Sequence, residues 1–168
     1  MLKSFEKELL YNIDRLFTKI KVNSYLGEFE DLKEFEKCLK VTPLILVDFE
    51  SEKYINSVEK EATYKLYFVN ATSNKSEIYR QKCKFELYDL IEQVDKFLSN
   101  SLFNHGFVIN LENITKIHEG ISDYGYLNIY ARTIKTKLKE CDSAINSELT
   151  KEEREFLKYG VAKSNGVL

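Results

Sequence analysis

Apolar residues Leu2, Phe5, Leu9, Ile13, Leu16, Phe17 and Ile20 recur at steps of three and four, which predicts an amphipathic helix over residues 2–20 with one buried stripe. Gly27 interrupts the next stretch. "DLKEFEKCLK" then returns to helical spacing through Leu32, Phe35 and Leu39, with Asp31 placed to start a short second helix. The single proline, Pro43, removes a backbone donor and biases Thr42 toward extended geometry. The run "LILV" behind it is short and β-branched, so residues 44–50 read as a core strand whose first residue is the proline-tolerant one.

"ATYKLYFVN" alternates with a period of two, with Tyr64, Leu66 and Phe68 on one face, and predicts a strand paired with residues 44–50. Between them "SEKYINSVEKE" is polar and long for a tight hairpin, so residues 51–61 are expected to form an exposed excursion. Asn74 and Glu77 have capping-box spacing, and Cys83, Leu87, Leu90, Ile91, Val94, Phe97 and Leu98 continue one helical face toward an Asn-His-Gly stop at 104–106. This long helix is placed near residues 75–99. Two more strands follow in "FVINLENITKIHEG" and "YGYLNIYARTIKTKL", with "GISDYG" as a hairpin connection. After Lys139 the pattern lapses until Thr150, which with Glu153 predicts a short helix before a frayed end.

The order is helix, short helix, two strands, long helix, two strands, short helix. It implies an α+β domain over residues 1–139, a mainly antiparallel sheet of about four strands with helices packed on one face, followed by an extension at 140–168. Length agrees, since 168 residues with 43% apolar content bury one core and rarely two.

Charge and cysteine content narrow the function classes. With 25 basic against 27 acidic residues the net charge is -2, which gives no bulk attraction to nucleic acid or anionic lipid. Cys38, Cys83 and Cys141 are widely spaced and form no CxxC, so they read as reduced cytoplasmic thiols. The N-terminal segment lacks the apolar centre of a signal peptide, and no run approaches the ~20 residues of a membrane span.

Candidate chemistry is sparse. His105 and His118 have no metal-pair spacing and read as turn and surface residues. Asp48 and Glu50 lie two apart on a strand, hence on one face, which is the minimum for a divalent-ion site but reads better as a solvated strand end. Lys82 and Lys84 flank Cys83, yet Cys83 falls on the apolar stripe of its helix and reads as core. No phosphate loop, dinucleotide fingerprint or nucleophile elbow is present, and no cofactor or metal is expected. Eleven tyrosines and eleven phenylalanines without a tryptophan fit either protein interfaces or a Tyr-, Ile-, Lys- and Asn-rich coding background. On the first reading, the candidate contact residues are Tyr54 and Ile55 in the excursion, and Tyr124 and Tyr126 around the second hairpin connection, rimmed by Glu52, Lys53 and Asp123.

The N-terminal helix, "TPLILVDFE", "ATYKLYFVNATSNKSE" followed by "YRQKCKFELYDLIEQVDKFL", and the closing pair through "YLNIYARTIKT" together resemble the Mu-like tail terminator proteins of contractile-tailed phages and prophages. The likeness covers residues 1–138 and rests on the order of segments. It implies a non-enzymatic structural protein of a virion or tailocin: a closed ring of copies, a hexamer, that caps the tail tube, stops its polymerisation and offers the joining surface to the neck and head. Its partners would be itself, tube and sheath proteins and neck or connector proteins, with DNA free to pass through the ring and neither sequence-specific nucleic acid binding nor a membrane involved. It would assemble in the bacterial host cytoplasm and end at the head-proximal end of the tail. The alternative from another class is a small binding protein, an immunity or adaptor protein, and a metal-dependent enzyme using Asp48 and Glu50 is the third reading.

Overall fold

The first helix, α1, runs Leu2–Asp14 and buries Phe5, Leu9 and Ile13. It stops short of Ile20 in this computed structural model, which describes residues 1–100 and 108–139. After Arg15 the chain turns, with the Leu16 N–H donating to the Ile13 carbonyl at 3.0 Å, and enters a strand, β1, at Lys21–Ser24. Three-and-four spacing fits both outcomes, because Phe17 and Ile20 still pack on the same core from the turn. The strand wins where β-branched Val22 can be buried against a sheet edge.

The second helix, α2 (Leu32–Leu39), starts where Asp31 places it: the Asp31 carboxylate accepts from the Lys33 and Glu34 backbone N–H groups at 2.9 and 3.0 Å. Behind the cis Thr42–Pro43 bond, β2 spans Leu44–Tyr54 and β3 Glu59–Thr72. The expected excursion at 51–61 is therefore mostly strand, and only residues 55–58 lie outside it. Charged residues fill both strands there, exposed on β2 and half-buried on β3, and pair across the strands: Lys53 meets Glu61 at 2.9 Å and Lys60 meets Glu52 at 3.3 Å, so no apolar period announces the strands. The Asn56 side chain closes the turn by accepting from the Val58 and Glu59 N–H groups at 3.0 and 2.9 Å.

The long helix, α3 (Glu77–Asn100), buries Cys83, Leu87, Leu90, Ile91, Val94 and Leu98, the stripe its spacing predicts. Asn74 caps a turn just ahead of it, its Oδ1 accepting from the Ser76 N–H at 3.0 Å. The last strands are β4 (Ile109–Ser122) and β5 (Gly125–Lys139), joined by a two-residue turn. The Asn-His-Gly stop, His105, Cys141 and the short helix from Thr150 lie outside the described residues.

Among the described residues the sheet has five strands in the order β1-β2-β3-β5-β4. It is mixed: β1 runs parallel to β2 and every other pairing is antiparallel. The fold is thus the expected α+β domain with one strand more than the pattern announced. On one face α1 and α3 cover Val47, Tyr64, Leu66, Phe68, Ile134 and Leu138. Short α2 packs on the opposite face, where Phe35 and Leu39 meet Leu44, Leu46, Val69, Leu127 and Ile129 beside the tilted and edge-to-face rings of Tyr25, Phe29 and Tyr67. Two polar links pin α3 to the sheet. Asn70 donates to the Cys83 carbonyl at 3.0 Å, and Arg132 forks onto Asp95, with Nε 3.0 Å from Oδ1.

Leu90 is 3% exposed at the centre of the α3 stripe, so Leu90→Ala removes packed methyl groups from an interface that cannot fully collapse. The expected loss is ~2–5 kcal/mol of unfolding free energy, measured by urea denaturation. A loss below ~1 kcal/mol would put Leu90 outside the core.

Candidate functional site

The titratable residues weighed for chemistry do not converge. Among the described residues, no three His, Cys, Asp or Glu side chains are grouped closely enough to hold a metal ion. Glu50 occupies the β2 irregularity between Phe49 and Ser51 and pairs with Lys65 at 2.5 Å, while burial is the first cause that raises the Asp48 carboxyl pKa. Cys83 is buried, and burial pushes its thiol up to about 11, which suits core filling. His118 is exposed on β4 beside a register shift.

The candidate contact residues fall into three environments. Tyr54 and Ile55 are 63% and 44% exposed at the β2–β3 tip, where Val58 joins them and the Lys60 ammonium sits 4.6 Å from the Tyr54 ring centre. Tyr124 is exposed in the β4–β5 turn and its hydroxyl donates to Glu36 of α2, one helical turn after exposed Leu32. Tyr126 is only 7% exposed, which corrects the expectation of a surface residue. It is the second residue of β5, on the face that α3 covers, and its hydroxyl donates to Glu119 Oε1 at 2.9 Å.

The two exposed ends are not neighbours. The register sets Glu59 beside Lys139 at one end of β3 and Thr72 beside Tyr126 at the other, so the β2–β3 tip and the β4–β5 turn flank opposite ends of a 14-residue strand. At ~3.3 Å per residue that separates them by roughly 45 Å. Among the exposed apolar residues, Tyr54, Ile55 and Val58 thus form a patch at one end of this strand, and Tyr124, tied to the α2 helix that carries exposed Leu32, forms an unlike one at the other.

Sequence reading did not find the charge centre on the α3 face. Glu119 accepts from Lys84 at 2.7 Å and from Tyr126, and meets Lys116 at 2.5 Å. Hydrogen bonds from Lys116 and then Lys84 hold its carboxyl down at about 2. No local signal joins Lys84 to Glu119, because only the crossing of α3 over the sheet brings them together. The chain matches no known protein-family model and no curated protein sequence. Among the described residues no helix is long and apolar enough to cross a membrane, which leaves strands unaddressed.

The Glu119 shift fixes a sign. Between pH 4.5 and about 2 the unfolded chain carries a proton on this carboxyl that the folded chain does not, so its contribution is complete above that window and lost as pH falls through it. Glu119→Gln is expected to flatten the stability-versus-pH curve in that interval, measured by urea denaturation at a series of pH values. Parallel curves for the two proteins would mean that the three partners do not hold the carboxylate.

Proposed function

We propose that this chain is a ring-forming end cap of a contractile tail tube, a structural protein that stops tube growth and offers the surface for the neck. The observation that carries the reading is the pair of unlike apolar patches at opposite ends of one sheet. A self-complementary dimer needs one patch that meets its own copy, whereas a head-to-tail contact needs two different ones and closes into a ring when the rotation permits. Apolar side chains on exposed turns gain most when a neighbour covers them.

The segment order supports the same reading: helix, hairpin, long helix and closing hairpin follow the succession on which the resemblance to Mu-like tail terminators rests. In this role the partners are further copies of the chain, tube and sheath proteins, and a neck or connector protein. Assembly takes place in the bacterial host cytoplasm and the finished protein sits at the head-proximal end of the tail. The ring lets DNA pass through its opening, and no cofactor takes part.

Tyr54→Ala combined with Ile55→Ala is expected to leave the monomer folded, since both side chains lie beyond the helical layers, and to give tails of uncontrolled length or tails that accept no neck. Electron microscopy of assembled tails measures both. Wild-type lengths and normal completion would remove the β2–β3 tip from the interface. A single copy at the tube end, counted in the same images, would instead favour the immunity or adaptor reading, which needs only one partner.

A further inference from the structure

The first turns of α3 and the β4–β5 hairpin border an open groove of about 410 Å³, lined by Glu77, Arg80, Gln81, Lys84, Phe85, Glu119 and Tyr126. It lies on the sheet face opposite α2 and is separate from the Leu32 and Tyr124 patch. The charges in it are unevenly matched. Glu119 already accepts from Lys84 and the Tyr126 hydroxyl and pairs with Lys116. Arg80 is not: its guanidinium lies 6.0 Å from the Tyr126 ring centre, its Nε is buried without a hydrogen bond, and among the described residues no carboxylate pairs with it.

A second polar side chain is unmet in the sheet beneath the groove, outside its lining. Asn128 is fully buried, and neither its Oδ1 nor its Nδ2 has a hydrogen-bond partner. It follows Tyr126 by two residues on the same face of β5 and lies in register between Glu119 and Asn70, under the helix that carries Arg80. Burial is the main cause that raises the Tyr126 phenol pKa. The nearby Asn128 amide pulls it the other way, without reaching hydrogen-bond geometry. Unsatisfied buried polar groups are costly, and a charged fork such as guanidinium gains most from a planar oxyanion that takes two of its N–H groups.

The rim decides which oxyanion. Exposed Phe85 lines the groove from α3, and outside its lining exposed Ile78 stands on the same helix and exposed Ile121 on β4 in register with Tyr126, so the surroundings of the charged centre are partly apolar. The cations Arg80, Lys84 and Lys116 face two carboxylates, Glu119 and the Glu77 that also lines the groove. That balance suits one negative charge and opposes a dianion. We propose that the groove between α3 and the β4–β5 hairpin binds a carboxylate carried on an aliphatic segment of a partner protein, with Arg80 as the fork and Phe85, Ile78 and Ile121 as the flanking contacts. This site does not depend on the ring reading and would serve any partner of that chemistry.

The test uses the full chain with nitrogen-labelled arginine and follows the Arg80 Nε–H resonance during titration with three probes: a capped Leu-Leu-Glu-Leu-Leu peptide, its Leu-Leu-Gln-Leu-Leu counterpart, and inorganic phosphate. The Glu peptide is expected to shift the resonance, and the Gln peptide and phosphate to bind at least about tenfold more weakly, the loss that follows from one charge-assisted hydrogen bond. Arg80→Gln should lower Glu-peptide affinity by a similar factor with the backbone amide spectrum otherwise unchanged. Arg80→Lys, which keeps the charge and loses the fork, should fall between. Phe85→Ala should weaken both peptides alike. Equal binding of the two peptides, tighter binding of phosphate, affinity indifferent to Arg80→Gln, or no shift with any probe at millimolar concentration would each overturn the proposal.

Discussion

The pairing of β3 with β5 is the constraint on which the rest of the molecule depends. It runs without a register shift from Glu59 beside Lys139 to Thr72 beside Tyr126, joining segments that are far apart in the chain. Because β5 lies between β3 and β4, the chain must leave β3, cross a sheet face as α3, and return on the far side before β5 can enter the centre. Such long-range pairing carries a loop-closure cost that local hairpins do not, and burial of Tyr64, Leu66, Phe68, Ile134 and Leu138 on the shared face offsets it. The start of β5 is fixed equally tightly. Gly125 has φ +113, and a Cβ there would come 2.2 Å from the Thr72 carbonyl oxygen, so only glycine lets the two strands meet.

Elements whose signal is local were legible. The α3 stripe could be read at period 3.6, Asp31 marked the start of α2, and Pro43 marked the start of β2, because each rests on residues within a few positions of one another. The misses share a different cause. β1 was hidden because Leu16, Phe17 and Ile20 satisfy helical spacing while serving a turn that packs on the same core. The outer half of the β2–β3 hairpin was hidden because a run of charged residues has no apolar period, and its cross-strand ion pairs become visible only once the register is known.

The candidate surfaces divide in the same way. The exposure of Tyr54, Ile55 and Tyr124 was legible because apolar residues beside turn chemistry are a local pattern. Tyr126 was misplaced because the edge of a turn cannot be told from the first buried residues of a strand by composition. The Arg80 groove had no sequence signature. Arg80 and Lys84 are four apart on a helix that looks solvated on that side, and nothing near them in sequence names Glu119, Tyr126 or Asn128. Such a centre becomes legible when the α3 crossing and the β4–β5 register are both known.

Rigidity decides what the two terminal patches are worth. Turns usually lose freedom on binding, and that loss subtracts from the contact they make. Here the β2–β3 turn is held by Asn56 and by the Lys60 ammonium against Tyr54, and the β4–β5 turn by the Tyr124–Glu36 hydrogen bond and by the close approach at Gly125. Both patches are therefore set before any partner arrives, and one continuous pair of strands fixes the angle between them. In a head-to-tail assembly that angle, with the twist of the sheet, sets whether successive copies close or continue without limit. On the proposed ring reading, a change in the sheet centre that left both patches intact but altered its twist would act on the geometry of closure, whereas a change at either patch would act first on the strength of the contact.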